Sequence, residues 1–421
     1  MSLFCWIFFN FFSHDILRIG FGPLGWKHCP GPPLTQSQSS NNYTLQFAQD
    51  GTFQITVFSD LHFAEDEDSI KGPMKDARTA EVVKKVLERE TSQLVVLNGD
   101  LISGYGTRAD NATLYLDQVV APIVELGLPW ATTYGNHDNQ DHSKSTDLLG
   151  REKDYNNSLT KNMLPDNPQA GVSNYYLQVY SASGKQDVPE VILWFFDSRG
   201  GREPHDWVDD SVVKWFKESN ANLTQQYKKT IPSLAFFHIP ISATYEFQKG
   251  PGVNPSREPG INGETVCWEG QMFDNKTGHD VLFMTALSNT DGLLATFSGH
   301  DHQNDWCYKW RDPTTDQAVA GDGVNVCYGR HTGYGGYGDL ARGGRQILLR
   351  KETLTKEVVT WIRLEDGLVP EKVTLNATYG QDEYHPLPQR IELKRSYGTD
   401  RYVGHSQPSY RSSAVSVCME L

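Results

Sequence analysis

An α/β architecture is predicted from three observations. Short apolar runs alternate with longer amphipathic segments, the early runs each end in a cluster of polar residues, and 38% hydrophobic against 21% charged residues is enough apolar matter for a large core. FQITVFSD, starting at Phe53, reads as the first strand, and DARTAEVVKKVLERE places its apolar residues at helical spacing. QLVVLNGD is a buried strand, ATLYLDQVVAPIVELG a second helix and PWATTYGNHD a third strand. Further strands are expected in NYYLQVY, VILWFFDS, SLAFFH and LLATFSGH, with helices in SVVKWFKESN and DVLFMTALSN. After residue 305 the pattern turns mostly to strands, in DWCYKW, VNVCYG, RQILLR and EVVTWIRL, and beyond about 366 it is irregular and polar. Three parts follow: residues 1–48 as a targeting segment and linker rich in Pro, Gly and Ser, 49–365 as the main domain, and 366–421 as a C-terminal extension.

The charge excludes one class of partner. With 38 Lys and Arg against 52 Asp and Glu the formal charge is −14, whereas nucleic-acid binders neutralise phosphates with a basic surface. Leu3 to Phe12 is the one long apolar stretch, about half of the ~20 residues that a membrane helix needs, so no integral membrane association is expected. It has the length of a secretory signal but lacks a preceding Lys or Arg and a small-residue cleavage site, which leaves a signal peptide and a non-native start as alternatives. Six Asn-x-Ser/Thr sequons, at Asn42, Asn111, Asn156, Asn222, Asn275 and Asn376, point to a glycoprotein of the secretory pathway, vacuolar or extracellular, with a cytoplasmic protein as the alternative. Six cysteines without a CxxC pair exclude a zinc ribbon. Cys307 and Cys327 lie in two runs that read as paired strands, so a disulfide between them is expected, two buried thiols being the alternative.

Five short blocks carry the chemistry: Ser59-Asp60-Leu61-His62, Asn98-Gly99-Asp100, Gly135-Asn136-His137-Asp138, Phe237-His238-Ile239-Pro240 and Gly299-His300-Asp301-His302. Each follows a predicted strand, and ligands of open α/β sheets bind beyond the carboxyl ends of strands. Carboxylates, an amide and imidazoles together suit divalent or trivalent metals. Taken singly, an Asp-x-His or Gly-Asp is usually a cap or turn; the ordered set is what points to one shared site.

In this order the blocks resemble the calcineurin-like metallophosphoesterase superfamily, and FSDLHF, VVLNGDLI, PWATTYGNHD, FFHIP, GHDHQNDWC and CYGRHTGYGGYG resemble its purple-acid-phosphatase-like group of fungi and plants. The resemblance covers roughly residues 53 to 350 and implies a four-layer αββα sandwich with mixed β-sheets, in which 49–365 is the catalytic domain. It implies that Asp60, His62 and His302 hold one metal, that Asn136, His238 and His300 hold the other, and that Asp100 bridges them. The ions would be Fe, Mn or Zn. His137 would be the general acid and Asp138 the residue that orients its ring, with a metal-bridging hydroxide as nucleophile. A small phosphorylated substrate or a phosphoprotein is then expected, and a phosphomonoesterase is the leading activity. A phosphodiesterase of sphingomyelinase-like type and a catalytically weak regulatory member are the alternatives.

Two departures matter. Purple acid phosphatases have a tyrosine three residues after the bridging aspartate, where this chain has Ser103, so a purple ferric site is not expected. The arginine that grips phosphate in the Ser/Thr phosphatases of the superfamily is missing from Gly99 to Tyr105. The glycine-rich run Gly329 to Gly338 reads either as a substrate-side wall or as a long turn, and Asn304 and Asp305 either as support for the ligands or as a turn and strand start.

Overall fold

The computed structural model describes residues 43–108, 111–202, 205–311 and 319–385. The apolar stretch at Leu3–Phe12, most of the expected targeting segment, the sequon at Asn42 and the end of the expected C-terminal extension lie outside these residues. One sheet contains β2 (Thr52–Phe58), β3 (Leu94–Asn98), β4 (Trp130–Thr133), β11 (Gly343–Arg350), β12 (Val358–Leu364) and β13 (Lys372–Leu375) in the order β13-β12-β11-β2-β3-β4. The other holds β1 (Leu45–Gln46), β5 (Tyr175–Tyr180), β6 (Val191–Phe195), β7 (Ser233–Phe236), β8 (Leu293–Ser298), β9 (Cys307–Lys309) and β10 (Asn325–Tyr328), ordered β1-β5-β6-β7-β8-β10-β9. Both sheets are mixed: β2-β3-β4, β6-β7-β8-β10 and β1-β5 run parallel, while β11, β12 and β13 pair antiparallel with their neighbours, as do β5 with β6 and β9 with β10.

Strand periodicity sorts the side chains into layers. Phe53, Ile55 and Val57 of β2 and Leu94 and Val96 of β3 share a buried core with Leu193, Phe195, Leu234, Phe236, Ala295 and Phe297, so the two sheets pack face to face. On the outer face of the six-stranded sheet, Phe58, Val95 and Leu97 meet α1 (Lys71–Leu87), α2 (Ala112–Glu125) and α3 (Ser145–Glu152). On the outer face of the other sheet, Ile192, Trp194 and Ala235 meet α4 (Asp210–Tyr227), α5 (Ser242–Lys249) and α7 (Val281–Ser288), with α6 (Gln271–Asp274) between the last two in sequence. Burial of β3 on both faces explains why Leu94 to Leu97 read as a continuous apolar run. The result is the expected αββα sandwich.

Local rules account for the helices. Val82, Val83 and Val86 with Thr79 form the buried stripe of α1, and the Asp209 carboxylate caps α4 by accepting from the Ser211 N–H at 3.0 Å. Cys307 and Cys327 are directly opposed on antiparallel β9 and β10 and form the expected disulfide, with Cα atoms 4.0 Å apart. Lys372–Leu375, inside the segment read as an irregular extension, pairs with β12 as an edge strand. The phenol of Tyr379 beyond it is buried and donates to the Cys307 carbonyl at 3.0 Å.

Candidate metal centre

Five strands from the two sheets end side by side, and each hands the chain to one of the polar blocks. β2, β3 and β4 lead into Asp60, Asp100 and Asn136, and β7 and β8 lead into His238 and His300. Where strands stop, the backbone turns sharply: Asp60, His62, Asp100 and His300 all adopt left-handed backbone, at φ of 57°, 49°, 52° and 74°. Such conformations are costly for non-glycine residues and cluster at functional sites. Hydrogen bonds from the Asp60 N–H to the Gly99 carbonyl and from the Leu61 and His62 N–H groups to the Asp100 carbonyl tie the first two loops together. The block glycines leave room for this. A Cβ on Gly135 would stand 2.3 Å from Asp100 Oδ1, and one on Gly99 would lie 2.3 Å from His238 Nδ1.

The donor atoms fall into two groups, Asp60 with His62 and His302, and Asp100 with His238 and His300, each compact enough to hold one ion. In the first, the Nε2 atoms of His62 and His302 are 3.1 Å apart, and His302 Nε2 is 3.7 Å from Asp60 Oδ1. In the second, Asp100 Oδ2 is 3.0 Å from His238 Nε2, and the same oxygen lies 3.7 Å from His62 Nε2 in the first group. Asp100 therefore spans both. Its other oxygen accepts the His137 N–H at 2.9 Å, and Asp60 Oδ1 accepts the His300 N–H at 2.9 Å. Asn136 Oδ1 is buried without a hydrogen-bond partner, and Asn136 lines one cleft with His137, Asp100 and His300.

The imidazoles are presented as ligands. His238 Nδ1 donates to the Asn98 carbonyl at 2.9 Å and His302 Nδ1 to the Tyr337 carbonyl at 3.1 Å, which leaves each Nε2 lone pair facing the cluster. His62 Nδ1 meets Ser103 Oγ at 3.0 Å. Fixing one ring nitrogen so that the other can bind is how metal-binding histidines are oriented. Burial lowers the His62 and His300 rings to about 3 and holds His302 well below its ordinary range, so these three are neutral. For His238 burial acts the same way, but the adjacent Asp100 and Asp60 carboxylates outweigh it and lift the ring to about 10. Burial also raises Asp60 to about 7, whereas at Asp100 the surrounding His238, His137 and His62 overcome burial and keep the carboxyl well below its usual value. Three neutral imidazoles, two carboxyl groups, the His238 ring that their charge holds and an orphaned amide oxygen make a donor set that fits two cations.

The calcineurin-like phosphoesterase model matches residues 53–304, more than half of the chain. The chain belongs to this family. Among its relatives, "Probable inactive purple acid phosphatase 28" of Arabidopsis thaliana is 28% identical over 360 residues, 78% of this chain and 84% of that protein. "Phosphatase DCR2" of Saccharomyces cerevisiae is 29% identical over 307 residues, 68% of this chain and 49% of that protein. Solved structures similar to it include a dimetal phosphatase from Danio rerio, with 13% identity and a TM-score of 0.49 over 77% of this chain and 98% of that one. A purple acid phosphatase from yellow lupin has 12% identity and a TM-score of 0.45 over 78% and 54%.

One side chain of this member of the calcineurin-like phosphoesterase family is placed otherwise than its sequence suggests. Asp138 does not orient the His137 ring. Its Oδ1 accepts the N–H groups of Leu101 and Ile102 at 2.8 and 3.0 Å, and its Oδ2 accepts the Gly135 N–H at 2.8 Å, so it binds the Asp100 loop to the Asn136 loop. Both of its oxygens are turned to backbone donors, and His137 Nδ1 is buried without a partner. The glycine-rich run packs under the first group: a Cβ on Gly333 or Gly335 would lie 1.9 or 2.1 Å from the Leu61 or His62 carbonyl oxygen. Its Tyr337 stacks on His302 at 4.0 Å and reaches the cleft, while His331 is held by Arg342 Nη1 at 2.9 Å and by the Gly335 carbonyl at 3.1 Å. Asp305 pairs with Arg330 at 2.6 Å and accepts the Ile261 N–H, and Asn304 Nδ2 donates to the Glu264 carbonyl at 3.3 Å. Ser103, singled out in the sequence only as the replacement of a tyrosine, is the partner of His62.

Proposed function

We propose that the protein is a two-metal phosphomonoesterase in which Asp60, His62 and His302 hold one ion, Asn136, His238 and His300 hold the other, and Asp100 bridges them. The observation that carries this reading is the single carboxylate oxygen, Asp100 Oδ2, within 3.7 Å of His62 Nε2 and 3.0 Å of His238 Nε2. Two such ions, when bound, lower the pKa of a water between them and neutralise charge on the phosphoryl oxygens.

The rest of the work falls to side chains. Asp60 and Asp100 supply the anionic oxygens, and each is kept in place by a backbone N–H on its second oxygen or on the same one. Ser103, Asn98 and Tyr337 fix the rings of His62, His238 and His302. His137 lies beside the first group, its ring centroid 4.8 Å from that of His62, and also lines the cleft. With Nδ1 sealed from solvent, Nε2 is the nitrogen through which it delivers a proton to the departing alkoxide. Asp138 acts by holding the Asp100 and Asn136 loops together.

Several relatives carry names that call them probable inactive purple acid phosphatases, which favours a catalytically weak member as the second reading. Two buried groups of donors, Asp60 with His62 and His302 and Asp100 with His238 and His300, support activity as the first expectation. Hydrolysis of p-nitrophenyl phosphate and of bis-p-nitrophenyl phosphate, measured in parallel on metal-loaded protein, tests the proposal. Faster release from the monoester supports it; faster release from the diester points to a phosphodiesterase, and release from neither to an inactive member. The Cys307–Cys327 disulfide and the exposed sequons at Asn156, Asn222 and Asn275 support a glycosylated protein of the secretory pathway, vacuolar or extracellular.

A further inference from the structure

Beyond the donor atoms, the cleft has a second wall, built by Glu264, Thr265, Met272 and Tyr337, whose chemistry the metal reading does not use. It faces the same space as His137, the residue proposed to protonate the leaving group, so the alcohol half of a bound phosphoester lies against it. Glu264 is anchored: its Oε1 accepts the Gln303 N–H at 2.6 Å, one residue from His302. Tyr337 lies flat on the His302 ring at an interplanar angle of 13° and so is held rigidly at the mouth. Met272 is 39% exposed and supplies a polarizable apolar surface. Among the described residues no Lys or Arg lines this cleft; Lys249 donates to Thr265 Oγ1 at 3.4 Å but is not part of the lining.

An anionic alcohol would be held best by cations beside it, because complementary charge sets specificity. This wall offers the reverse: a carboxylate, an aromatic ring and a thioether, the set that attracts an alkylammonium group. Resting on the phosphomonoesterase reading, we infer that Glu264, Met272 and Tyr337 form a leaving-group subsite selective for phosphoesters of amine- or quaternary-ammonium-bearing alcohols over those of anionic alcohols.

The test is a pair of phosphonates, 2-(trimethylammonio)ethylphosphonate and 3-phosphonopropionate, which have no phosphoester bond to hydrolyse. Their affinities for the full-length protein are measured by calorimetry with and without added Mn²⁺. The ammonium compound should bind the wild type about fivefold more tightly, the upper worth of a partly exposed ion pair. Glu264→Gln, which keeps the acceptor for Gln303, should abolish that preference. Met272→Lys, at a half-exposed position where folding is not at stake, should reverse it. Equal binding, a preference for the carboxylate compound, variants that weaken both alike, or binding of neither compound at millimolar concentration would each overturn the proposal. Failure to hydrolyse p-nitrophenyl phosphate would instead sink the phosphomonoesterase reading, and the phosphonate preference would still decide this one.

Discussion

The Nε2 atoms of His62 and His302 lie 3.1 Å apart, each on a buried ring whose other nitrogen is engaged elsewhere. Two neutral imidazoles turn their lone pairs toward one another this closely only with a proton or a cation to share. In the two-metal account that cation is the first ion. His62→Ala should therefore lower the metal content from about two ions per chain to about one, since each ion depends on its own donor set. Metal analysis of the purified, dialysed variant checks this, and a variant that keeps both ions would remove His62 from the ligand set.

Ser103 is predicted to tune that ion without touching it. Losing an outer partner of a ligating histidine typically costs about 10- to 100-fold in metal affinity, so Ser103→Ala should weaken one of the two ions by that order and leave the other unchanged. Competition with a chromogenic chelator reads the two affinities. Iron-loaded wild type should also show no tyrosinate-to-iron absorption band, since Ser103 stands at the tyrosine position and partial burial pushes the phenol of nearby Tyr105 up from its ordinary value.

His137→Ala should retain both metals and lose about 10²- to 10⁴-fold in turnover, the usual worth of general acid catalysis. The loss should be greater for an alkyl phosphate, whose alkoxide needs the proton, than for p-nitrophenyl phosphate. Steady-state rates on the two substrates, beside a metal assay, separate this role from that of a ligand, which would lose metal in proportion to rate.

Cys307 and Cys327 clip together two neighbouring strands of the seven-stranded sheet across a separation of 20 residues. Replacing both with Ser should cost about 3 kcal/mol by the chain-entropy model. Denaturant unfolding of the double variant gives the figure, and an unchanged midpoint would show that the bond contributes nothing to stability.

Much of this was legible in the sequence because the fold puts its chemistry where strands end. β2, β3, β4, β7 and β8 are buried on both faces, so each run stands out, and polar residues within a few positions of their ends, Asp60, Asp100, Asn136, His238 and His300, lie beside the cluster. The elements that escaped are those without a period to read. α3 and α5 have eight residues each, little more than two turns, whereas α7, equally short, was read from its apolar Val281–Met284. β13 is an edge strand, with polar Lys372 exposed and only Val373 and Leu375 buried. Asp138 was misread for a different reason. Its place beside His137 in sequence suggested a side-chain pair, while the competing demand came from the Leu101 and Ile102 N–H groups of another loop, which no spacing reveals. Glu264 and Tyr337 reach the cleft from loops far from the blocks, and only the packing of Tyr337 on His302 places them.

The central claim is that two ions, shared through Asp100, make one hydrolytic centre. The most direct measurement is a titration of metal-free protein with Mn²⁺ or Zn²⁺, following p-nitrophenol release from p-nitrophenyl phosphate after each addition. The account predicts a rise that breaks at about two equivalents per chain, because both ions act on one phosphoryl group. A break at one equivalent, or no release at any metal concentration, would contradict it.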